Sequence, residues 1–305
     1  MAVADGERER QGESGESDGP ARAPAEDAVV TPSGGGDGLF VTAGDGFEPT
    51  ELARGPWSPD ALHGGPVAAL VVRAVEGHAQ ADGLQVARLT LELLRPVPFA
   101  VLTARTRTMR DGRRVQLVDV SVEAEGRPVV TARLLRMRRL SPDVAVRSAV
   151  LEDSPPAPPS EGILAPPLLV APGVGERAFH SHGVEMRFVG GRMAEPGPAT
   201  VWIRLRVPVV AGEEPTPLQR VAAAADFGNG VSSELDFRSY LFINPDLSLH
   251  VHRPPVGEWV CLDARTRFGT PGIGTAEAAL WDEEGRIGRS VQSLVVEAAG
   301  AAGGG

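Results

Sequence analysis

The chain has 305 residues, of which 42% are hydrophobic, and a formal net charge of −10. This length is enough for two domains with cores of their own. All 30 basic residues are arginine, which excludes a Schiff-base lysine and the lysine of a Walker A motif. An acidic chain without a concentrated basic tail is a poor candidate for binding nucleic acid. The single cysteine, Cys261, excludes an intrachain disulfide and fits a reducing compartment.

The N-terminal segment, residues 1–37, is rich in Gly, Glu, Ser, Ala and Pro and has almost no large apolar side chains. Such a composition cannot bury enough surface to offset the entropy of ordering, so we predict a disordered tail. The first residues have neither the basic nor the apolar stretch of a secretory signal, and no apolar run long enough to span a membrane follows. We therefore expect a cytoplasmic protein that does not insert into a membrane.

The first folded half is predicted over residues 38–140, as one helix followed by an antiparallel meander. Pro66 and the apolar run 67–75 predict the helix, because proline favours the first helical turn. Four alternating runs follow, and the Asp-Gly and Glu-Gly pairs between them are hairpin signals. These strand-like runs are residues 85–94, 101–109, 115–123 and 128–137.

A proline-rich break separates the two halves. Residues 141–175 contain Ser154-Pro-Pro-Ala-Pro-Pro-Ser160, which interrupts regular secondary structure, and we predict that they form a linker. At the other end of the chain, residues 299–305 are only Ala and Gly and are predicted to be a flexible tail.

The second half, residues 176–298, repeats the plan of the first. An alanine-rich helix is predicted over 218–226, and the glycines of Phe227-Gly-Asn-Gly230 suit a left-handed helix cap. A sheet with one apolar face must cover that face, and the single helix of each half is the available cover. The strand-like runs of this half are 237–243 continuing into 247–252, then 259–267, 275–281 and 290–297.

An internal repeat indicates that the two halves are copies of one structural unit. The sequence Ala-Arg-Thr-Arg occurs at 104–107 and again at 264–267, an offset of 160 residues (264 minus 104). Each copy follows an Arg-Pro pair, Arg95-Pro96 in the first half and Arg253-Pro254 in the second. Self-similarity at a fixed offset indicates a unit built twice, so we expect a functional site where the halves meet.

Short motifs in both halves carry a resemblance to a known family. They are Trp57, His63-Gly64-Gly65, Arg95 to Pro98, Gly112-Arg113, Ala225-Asp226, His252 to Pro254, Gly257 to Trp259, Asp282 to Gly285 and Val291 to Ser293. Together with the duplication, they resemble the acyl-CoA thioesterase II family over about residues 38–298. The resemblance implies an α+β fold, a tandem double hotdog in which each half is an antiparallel sheet wrapped around one central helix. It also implies hydrolysis of acyl-CoA to free acid and CoA, without a metal or redox cofactor.

The resemblance also implies a catalytic triad. In that family an Asp on the second helix, a hydroxyl residue on the next strand and a Gln on the last strand hold the attacking water. Matched by motif, these positions are Asp226, Asn244 and Gln292, so an asparagine replaces the hydroxyl residue here; its amide can still hydrogen-bond water. Without the family, Asp226 could cap a turn, Asn244 could belong to an Asn-Pro-Asp turn, and Gln292 could be a surface amide.

His63, Gly64 and Gly65 are the candidate substrate-binding residues. Backbone N–H groups of glycines at a helix N-terminus can approach a thioester oxygen; the alternative is that these glycines allow close helix packing and that His63 is structural. In related single-hotdog thioesterases a carboxylate lies further along this helix, where this chain has Val72. The first helix carries no acid before Glu76, which indicates one working site per chain.

Other interpretations stay open at this point. The replacement of the family's hydroxyl residue by Asn244 favours an alternative function, a non-catalytic acyl-CoA-binding or scaffold protein. Hotdog sheets could also pair into a homo-oligomer.

The pairs His180/His182 and His250/His252 each place two imidazoles on one face of a strand, but no companion ligands are nearby, so no metal site is predicted. Arginines of the first half could meet nucleotide phosphates or simply solvate hairpins; they are Arg105, Arg107, Arg110, Arg113, Arg114, Arg133, Arg136, Arg138 and Arg139.

Overall fold

Strands dominate the chain, and all of those described join one antiparallel sheet. The computed structural model describes residues 37–78, 83–139, 154–166, 177–193, 195–236, 239–269 and 272–298. The helices are α1 (Gly64–Glu76), α2 (Pro217–Ala225) and α3 (Gly228–Val231). The strands are β1 (Phe40–Ala43), β2 (Gly46–Pro49), β3 (Leu84–Leu93), β4 (Leu102–Arg110), β5 (Val115–Ala124), β6 (Arg127–Arg138), β7 (Ile163–Leu164), β8 (Val184–Gly190), β9 (Ala199–Leu205), β10 (Tyr240–Ile243), β11 (Asp246–Val251), β12 (Trp259–Gly269), β13 (Ile273–Asp282) and β14 (Gly285–Ala298).

The strand order is symmetric about the neighbouring pair β3 and β11. Outward from β3 the order is β6, β5, β4, β2 and β1, and outward from β11 it is β14, β13, β12, β9, β8 and β7. The two Ala-Arg-Thr-Arg segments lie on β4 and β12, which hold the same place in these two successions. The halves are therefore joined through the pairing of β3 with β11, in which Leu89 lies opposite Leu249.

The predicted helix and four-run meander of each half are present, with ends shifted by a few residues, but the strands before each helix were not predicted. β1 and β2 are only four residues each, and β8 is buried at three consecutive positions instead of alternating, so these strands do not show the alternation that predicts a strand.

The predicted tails 1–37 and 299–305 lie almost entirely outside the described residues, as does much of the predicted linker. Its described part, 154–166, includes β7, which pairs with β8.

The helices α1 and α2 lie side by side and run antiparallel. The first turn of α1 meets the last turn of α2 so closely that a Cβ on Gly65 would be 2.5 Å from the carbonyl oxygen of Ala223. At the other end, Glu76 of α1 accepts hydrogen bonds from Thr216 Oγ1 and Gln219 Nε2, both at 2.8 Å, at the start of α2. None of the helices in the described ranges is long and apolar enough to cross a membrane.

The threonine of the repeated Ala-Arg-Thr-Arg ties the end of the helical segment to the sheet in both halves. Thr106 Oγ1 lies 2.8 Å from Nδ1 of His78, just after α1, and Thr266 Oγ1 lies 2.9 Å from Oγ of Ser232, just after α3. Each threonine points inward while the arginines on either side of it are exposed. The duplicated sequence therefore repeats a helix-to-strand contact.

Arg136, one of the arginines considered for nucleotide phosphates, is turned into the protein. Its guanidinium is buried, donates to the carbonyl oxygens of Val75 and His78, and also donates to Gln116 Oε1 at 2.9 Å. A cation at the C-terminus of a helix satisfies carbonyls that lack intrahelical partners. The nucleotide interpretation is thus wrong for Arg136, which caps α1.

The predicted left-handed cap after α2 is also wrong. Gly228 and Gly230 are absent from the glycines with positive φ, and residues 228–231 instead form the helical turn α3. Asp226 and Phe227 keep right-handed helical angles, with φ of −73° and −77°. The chain therefore continues in helical form past Asp226, which brings the backbone N–H of Asn229 towards β14.

A buried ion pair fixes the hairpin of β13 and β14 against the end of β11. Both terminal nitrogens of Arg253 donate to the carboxylate of Asp282, and the N–H groups of Val256, Glu284 and Gly285 donate to the same carboxylate. Burial alone would raise the pKa of Asp282, but these donors hold the pKa below its ordinary value of 3.8. Arg253 and Asp282 both belong to the resemblance, and here their role is structural.

We predict that Asp282→Asn lowers the free energy of unfolding at pH 7 by about 2–4 kcal/mol, because it removes the buried charge that pairs with Arg253 and accepts from three backbone N–H groups. Since the folded-state pKa of Asp282 is depressed, its contribution is present above the unfolded pKa and is lost as the pH falls through the folded pKa. Urea unfolding at pH 7 and below pH 3 measures both effects. Glu277→Gln, which breaks an exposed pair with Arg267, is the control and should cost less than about 1 kcal/mol. An equal loss in both variants would contradict the assignment.

Candidate active site

Asp226 ends α2 and faces the N-terminus of α1. The alanines at positions 222–225 are buried, and Asp226 itself is only 6% exposed. A Cβ on Gly64 would lie 2.7 Å from Oδ2 of Asp226, so glycine leaves the space that the carboxylate fills. A buried carboxylate at the C-terminal end of a helix gains no support from the helix dipole and needs hydrogen-bond donors.

Two side-chain amides supply donors to one oxygen of this carboxylate. Nδ2 of Asn244 donates to Oδ1 of Asp226 at 2.9 Å, and Nε2 of Gln292 donates to the same oxygen at 3.2 Å. Gln292 is 1% exposed, and its Oε1 accepts from the backbone N–H of Asn229 at 3.1 Å. Because that oxygen must face a donor, the amide nitrogen of Gln292 is directed at Asp226.

Asn244 reaches Asp226 because the strand that carries it is interrupted. β10 and β11 pair in succession with β14, and the break between them is Asn244-Pro245. Proline has no N–H for the sheet, so the ladder stops there. Nδ2 of Asn244 also donates to the carbonyl oxygen of Asp246 at 3.2 Å, which fixes the side chain across the break.

The second carboxylate oxygen lies against His63. Nδ1 of His63 is 2.9 Å from Oδ2 of Asp226 and 3.1 Å from the backbone nitrogen of Gly65. This ring nitrogen accepts from Gly65 only without a proton and donates to Asp226 only with one, so the two contacts compete. Nδ1 of His63 can therefore make only one of these two hydrogen bonds at a time.

Aromatic rings enclose this histidine. The ring centroid of His63 is 5.0 Å from that of Phe179 and 4.7 Å from that of Phe227, and the two phenylalanines stack at 5.3 Å. Both phenylalanines are buried. Polar contacts between His63 and Asp226 thus lie in apolar surroundings, where electrostatic interactions are stronger than in water.

The structure brings together all the sequence-predicted site residues. Asp226, Asn244, Gln292 and His63 are within hydrogen-bonding distance of one another through the carboxylate, and Gly64 packs against it. The N–H of Gly65 faces Nδ1 of His63, so it can donate to a substrate oxygen only when that nitrogen is hydrogen-bonded to Asp226 instead. Sequence reasoning missed three contributors, Asn229, Phe179 and Phe227, of which Phe227 directly follows the predicted catalytic aspartate and Asn229 lies three residues after it.

His180 and His182 do not share the face of a strand as predicted. They lie in a π-helical turn, Phe179–Gly183, in which His180 is 6% exposed and His182 is exposed. Neither ring nitrogen of His180 has a hydrogen-bond partner among the described residues. Burial first, and then the neighbouring imidazoles of His63 and His182, lower the pKa of His180 from 6.5 to about 4.

Comparison with protein-family models matches the chain in two adjoining parts. Residues 53–137 match the acyl-CoA thioesterase N-terminal domain, and residues 151–296 match the acyl-CoA thioesterase C-terminal domain. Together the two matches cover most of the chain. No curated protein matches it significantly in sequence.

Solved structures that superpose on this chain share the hotdog fold at low sequence identity. A protein assigned as a thioesterase from Novosphingobium aromaticivorans has a TM-score of 0.63 and 22% identity, over 84% of this chain and 98% of its own. A hotdog-fold protein of unknown function from Alicyclobacillus acidocaldarius has a TM-score of 0.63 and 19% identity, over 85% and 95%. An acyl-CoA thioesterase II from Mycobacterium marinum has a TM-score of 0.56 and 16% identity, over 79% and 91%. At these identities the likeness concerns the fold.

We predict that His180 makes the protein less stable as the pH falls from 6.5 to 4. In this interval the unfolded chain binds a proton at this residue and the folded chain does not, so the free energy of unfolding decreases, by about 3 kcal/mol in total. Urea unfolding of His180→Leu should show a smaller loss than the wild type over this range. His182→Leu, two residues away and exposed, should keep the wild-type dependence; an unchanged slope in His180→Leu would contradict the prediction.

Proposed function

The chain belongs to the acyl-CoA thioesterase family, and we propose that it hydrolyses an acyl-CoA thioester to the free acid and CoA at Asp226. The observation that carries this proposal is the convergence of His63, Asn244 and Gln292 on one buried carboxylate. We interpret the fold accordingly as a tandem double hotdog, each half an antiparallel sheet wrapped around one central helix. The proposed mechanism uses no metal or redox cofactor.

Asp226 acts as the general base in this proposal. Each carboxylate oxygen has two lone-pair positions, and those of Oδ1 are taken by the amides of Asn244 and Gln292. Oδ2 has one contact with His63, so its second position is the one that accepts a proton from water. The water oxygen bonds to the thioester carbonyl carbon, the carbon–sulfur bond then breaks, and the departing CoA thiolate takes the proton from the aspartic acid.

Asn244 and Gln292 are positioning residues in this mechanism. The family's pattern has a hydroxyl residue that helps to hold the water, whereas Nδ2 of Asn244 donates directly to Asp226. Both amides hold the carboxylate in a fixed rotamer and stabilise its charge, which leaves the water to Oδ2. The substitution of Asn for a hydroxyl residue is therefore compatible with hydrolysis.

Gly64 is the donor best placed to stabilise the oxyanion. It begins α1, and the first N–H groups of a helix have no intrahelical acceptor. The N–H of Gly65 faces Nδ1 of His63, whereas Gly64 directly adjoins the carboxylate that activates the water. A backbone donor of this kind is typically worth about 10²–10³ in rate.

The opposite end of the helix pair supports one working site per chain. There Glu76 accepts from Thr216 and Gln219 and so caps the start of α2, instead of facing an open site. Arg73, one turn earlier on α1, forms a bidentate pair with Glu213. The carboxylate at this end is thus engaged in joining the two helices.

We predict that Asp226→Asn lowers kcat for acyl-CoA hydrolysis by about 10²–10⁴, because it removes the general base while keeping the amide contacts. Thiol release from acyl-CoAs of several chain lengths measures the effect. Asp263→Asn, on β12 and away from Asp226, is the matched control and should hydrolyse like the wild type. Undiminished hydrolysis in Asp226→Asn would refute the site. Saturable binding without turnover of any chain length in the wild type would favour a non-catalytic acyl-CoA-binding protein.

We predict that Gly64→Ala also abolishes most of the activity. Its Cβ would lie 2.7 Å from Oδ2 and 2.9 Å from Oδ1 of Asp226, so the carboxylate must leave its place between its donors. Gly230→Ala has open space around its Cβ and no positive φ, so it should retain wild-type kcat and is the control. Equal activity of the two variants in the thiol-release assay would contradict the proposed geometry.

A further inference from the structure

A groove of about 670 Å³ crosses the sheet of the first half, on strands β3, β4, β5 and β6. Its charged lining consists of Arg88, Arg105, Arg107, Arg133, Glu92 and Asp119, and we call it the arginine groove. Four arginines face two carboxylates here, on a protein whose net charge is −10. A positive groove on an acidic protein attracts anions selectively.

The arginine groove lies on the face of the sheet away from the helices. Arg107 is opposite Asp119, Asp119 is opposite Arg133, and such cross-strand partners share a face. The residues that alternate with Asp119, Val118 and Val120, are buried in the core on the other face. The groove is thus separated by the sheet from Asp226, and it cannot belong to the proposed hydrolytic site.

The two acids of the groove already have partners. Asp119 receives two hydrogen bonds from Arg133, at 2.6 and 2.9 Å, and Glu92 accepts from Thr131 at 3.2 Å. The side chains of Arg88 and Arg107 make no hydrogen bond or ion pair within the described part of the chain, although, after the hydrogen bonds from Arg133, the charge of Arg107 helps to lower the pKa of Asp119. Because Asp119 is already held by Arg133, both guanidinium groups can still donate to a ligand.

Nε of Arg88 lacks a hydrogen-bond acceptor among the described residues. This nitrogen is buried, while the side chain as a whole is only partly buried and lines the groove. An unsatisfied buried donor on a cation is costly unless an acceptor reaches it. Next to it, burial and then the positive charges of Arg289 and Arg88 lower the pKa of His250, which is consistent with a positive potential at this end of the groove.

The two arginines lie on different strands of the groove. Arg107 is on β4 and Arg88 on β3, with β5 and β6 between them, and the register places Thr90 in the row of Arg107, so the two backbones are about 16 Å apart. Two arginine side chains that extend towards each other can span most of this distance, so both can contact one phosphorylated ligand. We propose that the arginine groove binds a phosphate-bearing anion, either inorganic or carried by a nucleoside, with Arg88 and Arg107 as its two anchors.

Isothermal titration of the full-length protein with inorganic triphosphate, and separately with ATP, tests this proposal. We expect saturable binding of both probes, and about tenfold weaker binding in Arg107→Gln and in Arg88→Gln, because each loses a charge-assisted contact. Tighter binding of ATP would identify the nucleoside-carried form. Arg127→Gln, an exposed arginine at the start of β6 outside the groove, is the matched control and should bind like the wild type.

Three outcomes would overturn the proposal. They are no saturable binding of either probe, wild-type affinity in Arg107→Gln, and equal weakening in Arg127→Gln, which would indicate unspecific attraction. Arg107 is exposed, so its variant should fold even if that of the more enclosed Arg88 does not. Since the arginine groove and Asp226 lie on opposite faces, Asp226→Asn should bind the probes like the wild type, and this keeps the test independent of the proposed hydrolysis.

Discussion

The need of one buried carboxylate for hydrogen-bond donors organises the centre of this protein. Asp226 lies at the C-terminal end of α2, where helix carbonyls repel negative charge, and it is 94% shielded from solvent. Its donors come from three other segments: His63 before α1, Asn244 in the break between β10 and β11, and Gln292 on β14. The antiparallel helix pair, the interrupted strand and the last strand must all be in place for the carboxylate to be tolerated.

The two halves share one scaffold but differ in the side chains that the scaffold positions. Both halves keep the inward threonine of Ala-Arg-Thr-Arg and the same succession of strands. In the first half β3 continues without a break, while its counterpart in the second half is divided at Pro245. That division frees the side chain of Asn244 to turn inward, so a local loss of sheet pairing in one copy helps to form the proposed site.

Much of the scaffold could be predicted from the sequence, and so could most of the residues that come together in the candidate site. Helical and alternating periodicity located both helices and their meanders, and matching by motif identified Asp226, Asn244 and Gln292. Periodicity failed where tertiary contacts decide the backbone, as in α3, where the glycines of Gly228-Asn-Gly230 adopt helical angles and Asn229 bonds Gln292. It also failed at His180, since a π-helical turn changes which side chains are buried.

We propose one thioester site per chain, at the end of the helix pair that holds Asp226 and not at the end that holds Glu76. A crystal structure of Asp226→Asn with an uncleaved acyl-CoA tests this most directly. We expect one ligand per chain, with its thioester carbon within about 3.5 Å of a water beside residue 226 and its carbonyl oxygen directed at the N–H of Gly64. A thioester bound at the Glu76 end, or at both ends, would contradict the account.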